Sequence, residues 1–245
     1  MPTFTIAKRE LQSYFNSPLA YVVICLSMLL LGVFVFFNLI RPGFWQLDRA
    51  SLESMFIYVP WLSIVIIPVI TMGLLAEERS SGTLEMLITL PVRDWEVILG
   101  KYIGALSLML ILVGSTLLYP LLMFYFPWKL GAIDMGPVWS GYLGLVLMSA
   151  AGVAVGLLVS SVTKSQVIAF FVTFVVMLIL TVVGAFGDVV LGPRVGAVLA
   201  HLSFYSHMQN FARGLIDTRS VVYFLSLTAL SLMVAFRSLE SRKWR

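Results

Sequence analysis

Charge is what this sequence has least of. Only 11% of its 245 residues are Asp, Glu, Lys or Arg, 60% are hydrophobic, and the mean hydropathy is +1.00. A soluble domain carries about a quarter charged residues and just under half apolar ones. A chain this apolar cannot keep its surface wet, which excludes a soluble enzyme, a disordered tail and a nucleic-acid-binding module, and leaves a membrane protein. Cysteine is equally scarce. The single Cys25 excludes a disulfide framework or a thiolate metal site within one chain, and its apolar surroundings predict a small buried hydrophobe. The two histidines, His201 and His207, stand six apart, which is not metal-ligand spacing on one helical face, so hydrogen bonding is expected of them. A phosphate-binding loop is also missing. Gly100-Lys101 is followed by Tyr102 and lacks the upstream glycine of G-x-x-x-x-G-K-[ST]. The chain is therefore expected to be no enzyme and to hold no cofactor or metal, with ATP hydrolysis left to another protein.

What charge there is serves as a ruler. It bounds charge-free intervals at 11–40, 54–76, 102–128, 135–163, 165–187 and 220–236. Crossing a hydrocarbon core of about 30 Å takes about 20 helical residues, with a lower limit of about 17. All six intervals reach that limit, the last with 17 residues. Six spans are expected, at about 19–40, 55–76, 102–126, 138–160, 166–187 and 220–236, in one membrane domain over 1–245. Runs such as IAFFVTFVVMLILTVV, Ile168 to Val183, are apolar on both parities. They lack the alternation of barrel strands and satisfy their backbone in lipid only as helix. The fold class is all-α, integral to the membrane. A further interval, 195–212, carries His201, His207, Gln209 and Asn210 and reads as an interfacial or re-entrant helix within an outer segment at 188–219.

With the N-terminus inside, ten Lys and Arg residues fall on the cytoplasmic side and six on the other, the direction of the positive-inside bias. The terminal SRKWR adds to it, because anionic lipids lie in the cytoplasmic leaflet. Both termini are expected to be cytoplasmic. The first apolar run is too long for the core of a cleavable signal. Before it, residues 3–17 read as an interfacial helix, with Phe4, Ile6, Leu11, Tyr14 and Phe15 toward the membrane surface and Lys8, Arg9 and Glu10 toward water. Pro18 lets the chain turn into the first span.

One cytoplasmic loop, 77–101, stands apart. It holds five of the twelve acidic residues: Glu77, Glu78, Glu85, Asp94 and Glu96. Ser80, Ser81 and Gly82 break the helix leaving the membrane, and Thr83 begins a short helix stopped by Pro91. Leu84, Leu87, Ile88 and Leu90 give that helix an apolar side. It fits the membrane face or a groove in a cytoplasmic partner equally well.

The loop EERSSGTLEMLITLPVRDWEVILGKY resembles the one after the second helix in ABC-2-type transporter permeases. There an acidic-basic run leads to Gly-Thr-Leu-Glu, aliphatics, a proline stop and a Gly-Lys entering the next helix. KRELQSYFNSPLAYVV is similar to that family's interfacial helix. FARGLIDTRSVVYFLS, Phe211 to Ser226, is similar to the segment before the sixth helix in the gliding-motility-associated branch. The resemblance implies a half-transporter of a bacterial inner membrane that dimerises with a second copy or a paralogous permease and engages a separate ABC ATPase, which binds the ATP and Mg. It further implies a coupling helix in the loop. Gly82, Thr83, Leu84, Glu85, Leu87 and Leu90 would meet the ATPase, with Glu77, Glu78 and Arg79 as hinge charges at the membrane exit.

The span middles offer Ser, Thr and an occasional Asn such as Asn38, without the ionisable groups on which ion-coupled transporters depend. Energy is then expected from a partner, which separates a pump subunit from a secondary transporter. Gly152 and Gly156 form a GxxxG step, read as close helix packing within the subunit or as a dimer seam. Phe170, Phe171 and Phe174 form an aromatic patch, and Arg213 and Asp217 are spaced to pair on a helix. The expected function is that of a permease subunit of an ATP-driven exporter. The alternative is a membrane anchor that recruits an ATPase to act mechanically on an extracytoplasmic auxiliary protein docked on 188–219. No substrate-recognition constellation rises above the apolar background.

Overall fold

Long apolar runs with few side-chain polar groups satisfy their backbones within helices, and every element among the described residues is helical. The computed structural model describes residues 2–37, 51–82, 93–125, 134–191 and 200–240. Its helices are α1 (Pro2–Asn16), α2 (Pro18–Phe37), α3 (Glu53–Thr71), α4 (Ala76–Ser80), α5 (Asp94–Ser115), α6 (Leu118–Tyr125), α7 (Met135–Val162), α8 (Gln166–Leu191), α9 (Phe204–Ala212) and α10 (Thr218–Glu240). Among the described residues, five stretches are long and apolar enough to cross a bilayer: Glu53–Ser80, Asp94–Met123, Met135–Val162, Gln166–Gly184 and Thr218–Glu240. The bent pair α1–α2 supplies a sixth if the two are counted as one span. That bend is 74°. It falls at Ser17-Pro18, where Pro18 has no N–H to continue the ladder and the Ser17 hydroxyl accepts from Leu19 N at 3.3 Å.

The centre of the fold is α7, which packs against α3, α4, α5, α8, α9 and α10. In its most apolar stretch 72% of residues are buried, against 22% in α8 and in α10, so α7 is enclosed while those two present a face outward. Small residues explain its position. Without a hydrophobic drive between helices in lipid, close approach depends on residues that let backbones meet. A Cβ on Gly141 would strike Phe56, one on Gly144 the Phe211 ring, one on Gly152 Ile67, and one on Gly156 Thr71. Gly152 and Gly156 are thus buried at the crossing of α7 with α3 inside one chain.

At one end of the bundle lies α9, packed among α3, α7 and α8 with Phe204, Met208 and Phe211 fully buried. It closes in a Schellman arrangement. Leu215 N donates to Asn210 O at 3.0 Å and Gly214 N to Phe211 O at 3.1 Å, with Gly214 at φ +88°, a conformation that glycine adopts without strain. Two expectations are corrected here. Arg213 does not pair with Asp217; its Nε lies 4.0 Å from Glu53, and the Asp217 carboxylate accepts from Arg219 N at 2.9 Å, capping α10. Cys25 is exposed on α2, outside the core.

His207 is 7% exposed, with Nε2 2.9 Å from His201 O and Nδ1 2.9 Å from Ser220 Oγ. A carbonyl only accepts, so Nε2 carries the hydrogen and Nδ1 accepts from Ser220. The ring stacks on Tyr223 at 4.3 Å. Burial holds its pKa below the ordinary histidine value, against the pull of the His201 carbonyl. Among the described residues no group of three or more His, Cys, Asp or Glu is placed to hold a metal ion.

Candidate functional site

The other end of the bundle gathers the stem of the 77–101 loop. Pro60 and Pro68 lie inside α3, which stops at Thr71; after a turn at 72–75 the chain re-forms helix as α4. A helix that restarts has orphan N–H groups, and here a neighbouring helix satisfies them. Ser160 Oγ, fully buried near the end of α7, accepts from Leu75 N at 3.0 Å and Ala76 N at 3.1 Å. Its own hydrogen goes to Met72 O at 3.3 Å. Arg79 makes the complementary contact. Its Nη1 donates to the carbonyls of Ser161, Val162 and Thr163 at 3.2, 2.7 and 3.0 Å. Those are the last carbonyls of α7, where backbone acceptors are unpaired and the helix dipole favours a cation. Ser160 and Arg79 together fix α4 to the end of α7.

The preceding residue of α4 is Glu78, whose Oε1 lies 2.9 Å from Lys101 Nζ. Lys101, on α5, has a side chain only 4% exposed, and its ammonium also meets Glu10 Oε2 of α1 at 3.3 Å. One buried cation therefore joins two carboxylates from separate elements. Such a cation in a low-dielectric setting is retained only when paired and hydrogen-bonded. Burial raises the Glu10 carboxyl above its ordinary value, and Lys101 acts against that rise.

α1 reaches this cluster because α5 gives it a groove. A Cβ on Gly100 would lie 2.7 Å from Ile6 Cβ, and one on Gly104 2.7 Å from Glu10 Cβ. The two glycines are four apart, on one face of α5, and α1 lies along that face. Tyr14 of α1 adds a hydrogen bond from its hydroxyl to Ile70 O at 2.7 Å. The interfacial-helix expectation is revised accordingly. Ile6, Ala7, Leu11, Tyr14 and Phe15 are turned inward, while Phe4 stays 73% exposed beside exposed Lys8 and Arg9. Glu10 does not face water; it faces Lys101.

Of the residues singled out in the loop, Glu78 and Arg79 join this cluster. Glu77 is exposed, and its backbone carbonyl accepts from Ser80 Oγ at 2.9 Å and Ser81 Oγ at 3.0 Å. Gly82 stands at φ +72° with open space around it, where the chain leaves α4 in a left-handed turn. Thr83, Leu84, Glu85, Leu87 and Leu90 lie outside the described residues. Across the loop, Arg93 begins α5 through a capping interaction, its N–H donating to Glu96 Oε2 at 3.0 Å.

Sequence reasoning missed Glu10, Lys101, Ser160 and the Gly100–Gly104 step. Two signals could have found three of them. A glutamate at position 10 falls in the same helical stripe as Ala7 and Tyr14, and a charge inside an apolar stripe asks for a buried partner. The stretch Gly100-Lys101-Tyr102-Ile103-Gly104 is a small-xxx-small step with a cation in its first turn. Ser160 has no local signature, because its acceptor role depends on where α3 breaks.

Among known proteins, a family model described as ABC-2 family transporter protein matches residues 6–244. No curated protein matches the chain.

Proposed function

Because this chain belongs to the ABC-2 transporter family, and is thereby the multi-pass membrane subunit of an ABC transporter working with an ABC ATPase, we propose that its 77–101 loop is the coupling element of a dimeric exporter in a bacterial inner membrane. The observation that carries this reading is the bracing of the loop stem. Glu78 is joined to α1 and α5 through Lys101, and Arg79 to the end of α7. A loop of no mechanical consequence needs no such bracing. An element that receives force from a partner's ATP-driven closure does, because a rigid stem transmits displacement and a slack one absorbs it.

In this reading both termini are cytoplasmic and the ATPase sits beneath α4. Thr83, Leu84, Glu85, Leu87 and Leu90 meet it, and Gly82 lets the chain turn toward it. Closure of two ATPases would draw the stems together and open the far side of a permease pair. The span middles carry no ionisable groups for ion coupling, which agrees with energy delivered from outside the membrane. The test is replacement of Leu87 with Asp or of Glu85 with Lys, read as ATPase recovered with tagged permease and as turnover of the complex. Both are expected to fall at least tenfold with the permease still inserted. Unchanged recruitment and turnover would remove the coupling assignment.

A further inference from the structure

We propose that Lys101 is the node through which movement of the loop stem reaches α1, so that the N-terminal helix moves with the coupling loop. The inference rests on the transporter reading and adds to it a path for the force. Three elements distant in sequence meet at one ammonium: Glu10 of α1, Glu78 of α4 and Lys101 of α5. The groove beneath α1 does not lock it by itself. Gly100 and Gly104 let the backbones approach but project no side chain that would stop α1 from sliding along α5.

Beside the Tyr14 hydrogen bond to Ile70 O, the ion cluster supplies that stop, and it alone ties α1 to α4 by way of α5 among the contacts described above. Lys101 is 4% exposed, so losing a carboxylate costs more there than at the surface, because attraction is stronger where the dielectric is low. A displacement of α4 that carries Glu78 away leaves the ammonium with Glu10 alone, so Lys101 and α1 follow or the pairing is lost. Arg79 holds α4 to the end of α7, which makes α4 a short beam between α7 and α1. The 74° bend at Ser17-Pro18 then converts movement of α1 into a tilt of α2. Lys101 acts as a positioning residue in this scheme.

The test uses the permease–ATPase complex purified through a tag on the permease. In a Cys25→Ser background, spin labels are placed at Ser13→Cys on α1 and Arg237→Cys on α10, both exposed positions. Trapping with Mg-ATP and vanadate is expected to shift the distance between the labels. Lys101→Met is expected to abolish the shift while the ATPase stays bound, and Lys101→Arg, which keeps the cation, to retain it. Glu10→Gln is close to isosteric, should also abolish the shift, and carries the test if Lys101→Met fails to fold. A shift that survives in Lys101→Met or Glu10→Gln overturns the proposal, as does the lack of any shift in the unaltered complex. An unaltered permease that binds no ATPase overturns the transporter reading, and this one with it.

Discussion

Lys101 and His207 sit at opposite ends of the bundle and solve the same problem differently. Each is a titratable group with almost no access to water. Lys101 is met by two carboxylates, from Glu10 and Glu78. His207 has a carbonyl on one nitrogen and a hydroxyl on the other, partners that suit the neutral ring, and burial lowers its pKa. The unfolded chain protonates this residue near pH 6.5, whereas the folded chain does so only at lower pH. The stability contributed by the neutral imidazole is therefore complete above about pH 6.5 and is lost as the pH falls through the lowered folded value. Thermal unfolding in detergent should show a Tm that drops on acidification from about pH 7.5 to about pH 5.5. In His207→Gln, which keeps hydrogen-bonding capacity without titrating, the drop should be clearly smaller. An equal drop in both proteins would show that another group is responsible.

At the scale of elements, two glycine-lined contacts set the architecture: α7 against α3 and α9, and α5 against α1. Valine at Gly104 would place its Cβ 2.7 Å from Glu10 Cβ and 3.1 Å from Ala7 O. Backbone cannot yield as a flexible side chain can, so α1 must lift from its groove. Overpacking of this kind costs about 1–3 kcal/mol. Gly104→Val should therefore lower the unfolding temperature and open α1 to limited proteolysis. Gly114→Ala is the control: it lies in the same helix with nothing within 4 Å of the added Cβ, and should be neutral or stabilising by up to about 1 kcal/mol. A Gly104→Val protein as stable and as protease-resistant as the control would mean that α1 is not held by this contact. α9 was legible as a polar-loaded helix distinct from the spans. Its insertion between α3, α7 and α8 was not, because Phe204, Met208 and Phe211 could equally have faced lipid.

For the whole molecule, the helix directions put the stem cluster at one end and α9 at the other. The proposed orientation, with the stem end toward the cytoplasm, follows the positive-inside bias. In a Cys25→Ser background, Lys8→Cys should react with a membrane-impermeant maleimide only in inverted vesicles, and Thr218→Cys only in right-side-out vesicles. Both positions are exposed. Labelling of the two from the same side would overturn the orientation.

The scarcity of charge determined that the chain is a membrane protein, since an apolar surplus has no place but lipid, and runs apolar on both parities determined that it spans as helix rather than as barrel. Local pattern likewise marked the loop after α3 and the Gly152–Gly156 step, because composition and helical period are properties of contiguous sequence. Only the tertiary structure decided what the remaining charges do. Glu10, Glu78 and Lys101 are tens of residues apart, and a charge by itself reads as a mark of solvent or of topology. Their meeting depends on the depth to which α1 settles into α5 and on where α3 breaks, both set by contacts between helices that no stretch of sequence contains. The same holds for Gly152 and Gly156. A GxxxG step says that something packs closely, and only the placement of Ile67 and Thr71 opposite them shows that the neighbour is α3 of the same chain.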